Sequence, residues 1–202
     1  MNQPDSPFYT ARGARPRPVL SEDGSGGTGR PTLILAGLML GWLFFTMALA
    51  AFGGGLGSGT ASPETINRGV VVKPAPGWTS AADVWKVGSG AVSLKRAGAV
   101  VAFAADAYDG TNEALLAGEM TQLKGQFASF RSLSPSSLTI AGGLQAVSAL
   151  FSGTAQGGEL EGELVAVTRG GTGVVILAIA PFGQLRRVQG DINDMLRTLV
   201  IP

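Results

Sequence analysis

The carboxylates of this chain are the side chains best suited to chemistry, and they gather in two places. Asp106, Asp109, Asn112 and Glu113 crowd one short stretch, and hard oxygen ligands at such spacing are what a calcium ion takes. The stretch lacks the full pattern of a helix–loop–helix calcium loop, and Asp or Asn ahead of a helix ordinarily caps it. Glu159, Glu161 and Glu163 alternate with Leu160, Gly162 and Leu164. Three carboxylates therefore share one face of a strand, with the apolar partners on the other. Paired carboxylates can act as acid and base in hydrolysis, whereas an exposed row is ordinarily just solvated. Arg169-Gly-Gly-Thr-Gly173 is glycine-rich enough to cradle phosphate. It lies between two strand patterns rather than ahead of a helix, which is the setting of a hairpin turn. Trp78 and Trp85 are candidates to line a ligand groove, set against the ordinary use of tryptophan in core packing.

The chain of 202 residues has no histidine and no cysteine. That excludes disulfides, thiol catalysis, a Ser-His-Asp triad and the usual zinc, copper and haem sites. No metal and no cofactor is expected. Net charge is +1. Residues 1–30 carry Arg12, Arg15, Arg17 and Arg30 against Asp5, Glu22 and Asp23, and residues 64–202 hold eleven basic and eleven acidic groups. A neutral C-terminal region has no electrostatic footprint for nucleic acid and no polybasic patch for anionic lipid.

These residues must be positioned by a region of mixed periodicity, expected as an extracytoplasmic α+β domain over 66–202. Gly69–Val72 reads as a short strand and Trp85–Val87 as another. Ala91–Arg96 alternates, Ala97-Gly98 turns, and Ala99–Ala105 returns as the second arm of a hairpin. Asp109-Gly-Thr-Asn112 supplies cap chemistry for a helix whose stripe is Leu116, Met120, Leu123, Phe127 and Phe130, ending near Leu133 ahead of Pro135. Leu138–Ile140, Leu144–Thr154 and Leu160–Thr168 read as strands. Val174–Ala180 is a continuous apolar run, as in a strand buried on both faces. A closing helix carries Leu185, Val188, Ile192, Met195 and Leu199 inward, with Arg187 and Asp191 spaced for an i, i+4 pair. The sum is a mostly antiparallel sheet flanked by helices, an α/β/α sandwich.

Ahead of that domain, Thr32–Phe52 is a run of twenty-one residues without a charge. At about 1.5 Å per residue it spans roughly 30 Å, the thickness of a bilayer core. A transmembrane helix is expected over 31–52. Ala48-Leu49-Ala50 resembles a signal-peptide cleavage site, but the apolar run is longer than a usual signal core and thirty residues precede it. Arg30 abuts the run and no Lys or Arg follows within Gly53–Asn67. The N-terminus is therefore expected in the cytoplasm and the domain outside, in a single-pass arrangement. Gly37 and Gly41 form a small-xxx-small pair that would let a second helix approach, as in a homodimer or on a partner's membrane helix. Residues 1–30 are rich in Pro, Gly, Ser and Arg and read as a disordered cytoplasmic tail. Residues 53–65 read as a flexible tether.

A first strand running into Pro74, Gly77 and Trp78, then a hairpin, a long helix, a three-strand meander and a closing helix resemble the PsbP-like fold. Gly143-Leu-Gln-Ala146 is consistent with it. The resemblance covers residues 66–202 and implies a non-enzymatic binding or assembly module, with no active-site residues to carry over. Bacterial lipoproteins of this fold carry an anchoring cysteine, and here the membrane helix would replace it. The expected function is thus a membrane-anchored interaction module, not an enzyme, that assembles with or stabilises an integral membrane or envelope protein complex. The alternatives are an envelope lipid or glycolipid carrier with an apolar groove between sheet and helix, and a hydrolase whose pocket joins carboxylates such as Asp109 and Glu163.

Overall fold

The computed structural model describes residues 62–81, 90–155 and 158–202. The expected tail, the membrane run with Gly37 and Gly41, and the segment holding Trp85 lie outside the described residues. Among those described, no helix is long and apolar enough to cross a membrane.

Strand β1 (Glu64–Thr65) pairs antiparallel with β2 (Val71–Val72), so the last two residues of the segment expected as tether belong to a strand. Among the described residues the main sheet has eight strands: β3 (Thr79–Ser80), β4 (Val92–Arg96), β5 (Ala99–Ala107), β6 (Ser129–Ser132), β7 (Ser136–Thr139), β8 (Gln145–Ala155), β9 (Gly158–Arg169) and β10 (Thr172–Pro181). Their spatial order is β3-β4-β5-β10-β9-β8-β6, with β7 also on the edge of β8, and every pairing is antiparallel. Two tight turns among the described residues have left-handed backbone at both central positions, Ala97 (φ 49°) with Gly98 (φ 80°) and Gly170 (φ 54°) with Gly171 (φ 72°). That is the turn whose twist matches a hairpin, so Arg169–Gly173 is the β9–β10 connection and not a phosphate loop.

Helix α1 (Asn112–Lys124) covers one face of the sheet and α2 (Leu185–Arg197) the other. Alternation along β5 and β10 sends Val101, Phe103, Val174 and Ile176 toward α2, and Val100, Ala102, Val175 and Leu177 toward α1. Both strands are buried on both faces, which is why neither shows an apolar–polar alternation in sequence.

Helix α1 stops at Lys124 rather than near Leu133. Gly125 follows it, a poor helix former, and Phe130 lies instead on β6, opposite Gly153 of β8. Phe127, Phe130 and Phe151 form an aromatic cluster with ring centroids 5.5–5.8 Å apart. The two phenylalanines keep facing the α1 core after the helix has ended, so a helical spacing extended past the helix itself.

Candidate functional site

Helix α2 packs over β10 and β5. Beyond its edge, the same face of the sheet is open over β6 and the adjoining ends of β8 and β9, while Ser148 of β8 and Val165 of β9 are buried. There a groove of about 610 Å³ runs between the sheet and the first turns of α2. Strand register lays out its floor in two rows. Arg131 on β6 stands opposite Ser152 on β8, which stands opposite Glu161 on β9. In the next row Leu150 on β8 stands opposite Glu163 on β9, and the Leu133 N–H donates to the Leu150 carbonyl at 2.9 Å. The wall is made by Leu185, Arg186 and Gln189 of α2, with Phe182 at the mouth.

Three large apolar side chains lie open to solvent here, Leu133 at 65%, Phe182 at 60% and Leu150 at 43% exposure. The remaining exposed large hydrophobic residue among those described, Val200, is elsewhere. Clustered apolar exposure, unlike single exposed residues, marks contact surfaces.

The glutamate row is not the solvated face that its alternation predicts. Glu159 is exposed, Glu161 is half-buried and Glu163 is 8% exposed. Both inner glutamates hold α2 in place. Glu161 Oε1 accepts from the Leu185 N–H at 2.7 Å, at the first residue of the helix, while Gln184 at the N-cap makes no side-chain capping bond. A strand carboxylate thus does what a local Ser or Asp cap ordinarily does, and sits at the positive end of the helix dipole. Glu163 Oε2 accepts from Gln189 Nε2 at 2.7 Å. Among the described residues neither carboxylate has a basic partner, and Arg131 and Arg186 make no ion pair. Both arginines are exposed at the rim.

Two of the other expected residues, Trp78 and Asn112, have structural work. Trp78 is 3% exposed, and its indole N–H donates to Asp191 Oδ2 at 3.0 Å. Arg96 also pairs with Asp191, so Asp191 binds across to β4 and to Trp78 rather than along its own helix to Arg187. The groove lining does not include Trp78. Thr111 caps α1, accepting from the Ala114 N–H at 3.2 Å. Asn112 ties that helix to the sheet through the Thr168 N–H at 2.7 Å and the Gln145 carbonyl at 2.8 Å. Asp109 lies against the β9–β10 turn at Gly171. Glu163 pairs with Ala178, seven residues further along β10, so the two carboxylates proposed to share a hydrolytic pocket are roughly 20 Å apart along the strands. One titratable group went unremarked in sequence. Glu119 on α1 is 2% exposed, and neither of its oxygens has a hydrogen-bond partner among the described residues. Burial pushes its carboxyl up to about 7.

Among solved structures, the cyanobacterial PsbP protein (CyanoP) of Synechocystis aligns with a TM-score of 0.54 and 10% identity, over 75% of this chain and 99% of that one. The fold is PsbP-like. The PsbP-like scaffold is also that of the Ran-binding protein Mog1p of Saccharomyces cerevisiae, with a TM-score of 0.50 and 11% identity over 70% of this chain and 96% of that one. LpqN of Mycobacterium tuberculosis, involved in cell envelope biogenesis, aligns at a TM-score of 0.45 and 16% identity, over 70% of this chain and 86% of that one. No protein-family model and no curated protein sequence matches the chain. At such identities the PsbP-like likeness speaks for the backbone alone, and the groove must be argued from its own side chains.

Proposed function

We propose that this chain is a membrane-anchored, non-catalytic interaction module. Its PsbP-like domain stands outside the membrane and assembles with, or stabilises, a membrane or envelope protein complex. The observation that carries this reading is the groove beside α2, where Leu133, Leu150 and Phe182 are exposed together beside carboxylates that have no basic partner among the described residues. The anchor is the uncharged run Thr32–Phe52, oriented by Arg30 and the arginines before it. Binding is a use this scaffold supports, since Mog1p is a Ran-binding protein. The carboxylates at the groove are engaged in holding α2, which supports a recognition role over acid–base catalysis.

The groove also gives the lipid-carrier reading a specific footing, because about 610 Å³ lined in part by leucine and phenylalanine falls within the size of small-ligand sites. One experiment separates the two. A photo-crosslinking residue at Ser152 of the full chain, activated in native membranes, should yield one stoichiometric protein adduct. A discrete lipid adduct with no protein adduct would replace the module reading by the carrier.

A further inference from the structure

The open end of this face, at residues 150–154 of β8 and 159–163 of β9, is wide enough to seat one more helix. Packed helices lie about 8–10 Å apart, and neighbouring strands about 4.8 Å. Since α2 lies over β10 and β5, a helix beside it would lie about two strands away, over β9 and β8. That is where Leu150, Ser152, Glu161 and Glu163 form the floor. A second helix there would meet Leu133 and Phe182 and cover the end of the sheet that α2 leaves open.

Charge then selects the kind of helix. Glu161 and Glu163 are already half-buried and buried, and among the described residues each has one oxygen engaged, in a bond to α2. A partner lying over them removes their remaining water. A carboxylate so covered is costly unless the partner supplies a cation or strong donors. The rim arginines Arg131 and Arg186 are exposed, and their long side chains can stay in water when the groove closes. The desolvated charge is negative and the solvated charge positive, so complementarity at the buried centre calls for a basic partner.

We infer that the groove between α2 and strands β8–β9 receives an amphipathic helix of a partner protein, with leucine-like side chains set on Leu150, Leu133 and Phe182 and a lysine or arginine directed at Glu161 and Glu163. The inference rests on the interaction-module reading and names the chemistry of its partner.

Because both glutamates also hold α2, charge is varied on the ligand rather than on the protein. The full chain in phosphatidylcholine nanodiscs is titrated against a fluorescent helical peptide of about fifteen residues, with leucines on one face and flanking lysines. An otherwise identical peptide carries glutamates in place of the lysines, and protein-free nanodiscs serve as the blank. The lysine peptide should bind at least about tenfold tighter than the glutamate peptide, with affinity falling as salt rises. The double variant Leu133→Ser/Phe182→Ser removes two exposed side chains, and it should weaken binding at least about fivefold while the far-ultraviolet circular dichroism stays unchanged. Equal affinity for the two peptides, or binding indifferent to the double variant, overturns the inference. A protein adduct at Ser152 together with equal peptide affinities would refute the basic helix alone. The lack of any protein adduct would remove the module reading beneath it.

Discussion

At the scale of single residues, one buried carboxyl lies where no hydrogen-bond partner among the described residues reaches it. Glu119 lies between the leucines of α1 that face the sheet, and burial raises it from 4.5 to about 7. Below pH 4.5 the carboxyl is neutral in both the folded and unfolded chain. As the pH rises from there to about 7, the unfolded chain ionises while the folded one keeps its proton. Stability is therefore fully present below 4.5, is lost as the pH rises toward and through about 7, and is level above it. The loss is about 3 kcal/mol. Glu119→Gln should leave stability near pH 4.5 almost unchanged and raise it at pH 8, seen by urea denaturation at the two pH values. Gly162 shows the opposite economy. A Cβ there would drive into the Phe151 ring and the Ala178 carbonyl. Gly162→Ala should destabilise by about 1–3 kcal/mol, and a Phe151→Leu background should relieve only part of it, because the carbonyl remains. Sequence shows the glycine, but its reason lies on two other strands. For Glu119, a glutamate between leucine pairs four residues apart was a visible signal, obscured because a single polar residue in a helical stripe is ordinarily exposed.

At the scale of elements, strands and turns were largely legible, and the way elements end or dock was not. The hairpin at Ala97-Gly98, the turn within Arg169–Gly173 and the apolar stripe of α2 all follow from local chemistry. Phe130 was misplaced because helix spacing and the facing of a following strand satisfy the same core. The start of α2 is decided from outside the helix, by Glu161 of β9. Glu161→Ala should cost about 1–2 kcal/mol, as for loss of a good cap, with Glu161→Gln losing less because it keeps an acceptor. Chemical denaturation measures both. If the two variants match the parent protein, the cap is not a stabilising contact. The Arg187–Asp191 spacing met the rule for a helical pair, yet Asp191 serves Trp78 and Arg96. A buried indole N–H left without an acceptor costs more than an exposed i, i+4 pair returns.

At the scale of the whole molecule, the sheet is a wall with one side closed and the other open at one end, over Leu150 and Ser152 of β8 and Glu161 of β9. On one side α1 meets β8, β9 and β10, and on the other α2 reaches β10 and β5. The asymmetry leaves the groove. The proposed anchor would hold that groove near a membrane surface. If Thr32–Phe52 spans the bilayer in the orientation argued from Arg30, the full chain should remain in the membrane fraction through alkaline carbonate extraction. Protease added to right-side-out vesicles should digest the C-terminal domain. Release into the soluble fraction would end the anchored reading, and protection of the domain would reverse its orientation.

The sequence by itself determined the α+β class, most strands, the two glycine-bearing turns, the apolar stripe of α2 and the absence of thiol and imidazole chemistry, because these depend on residue type and on spacing within one element. Only the tertiary structure decided that Glu161 and Glu163 lie under α2 rather than in water, that Trp78 belongs to the core, and that Leu133, Leu150 and Phe182 meet in one groove. Periodicity shows which side chains share a face. It cannot show how far along that face a distant helix extends, and the site lies where α2 stops covering the sheet.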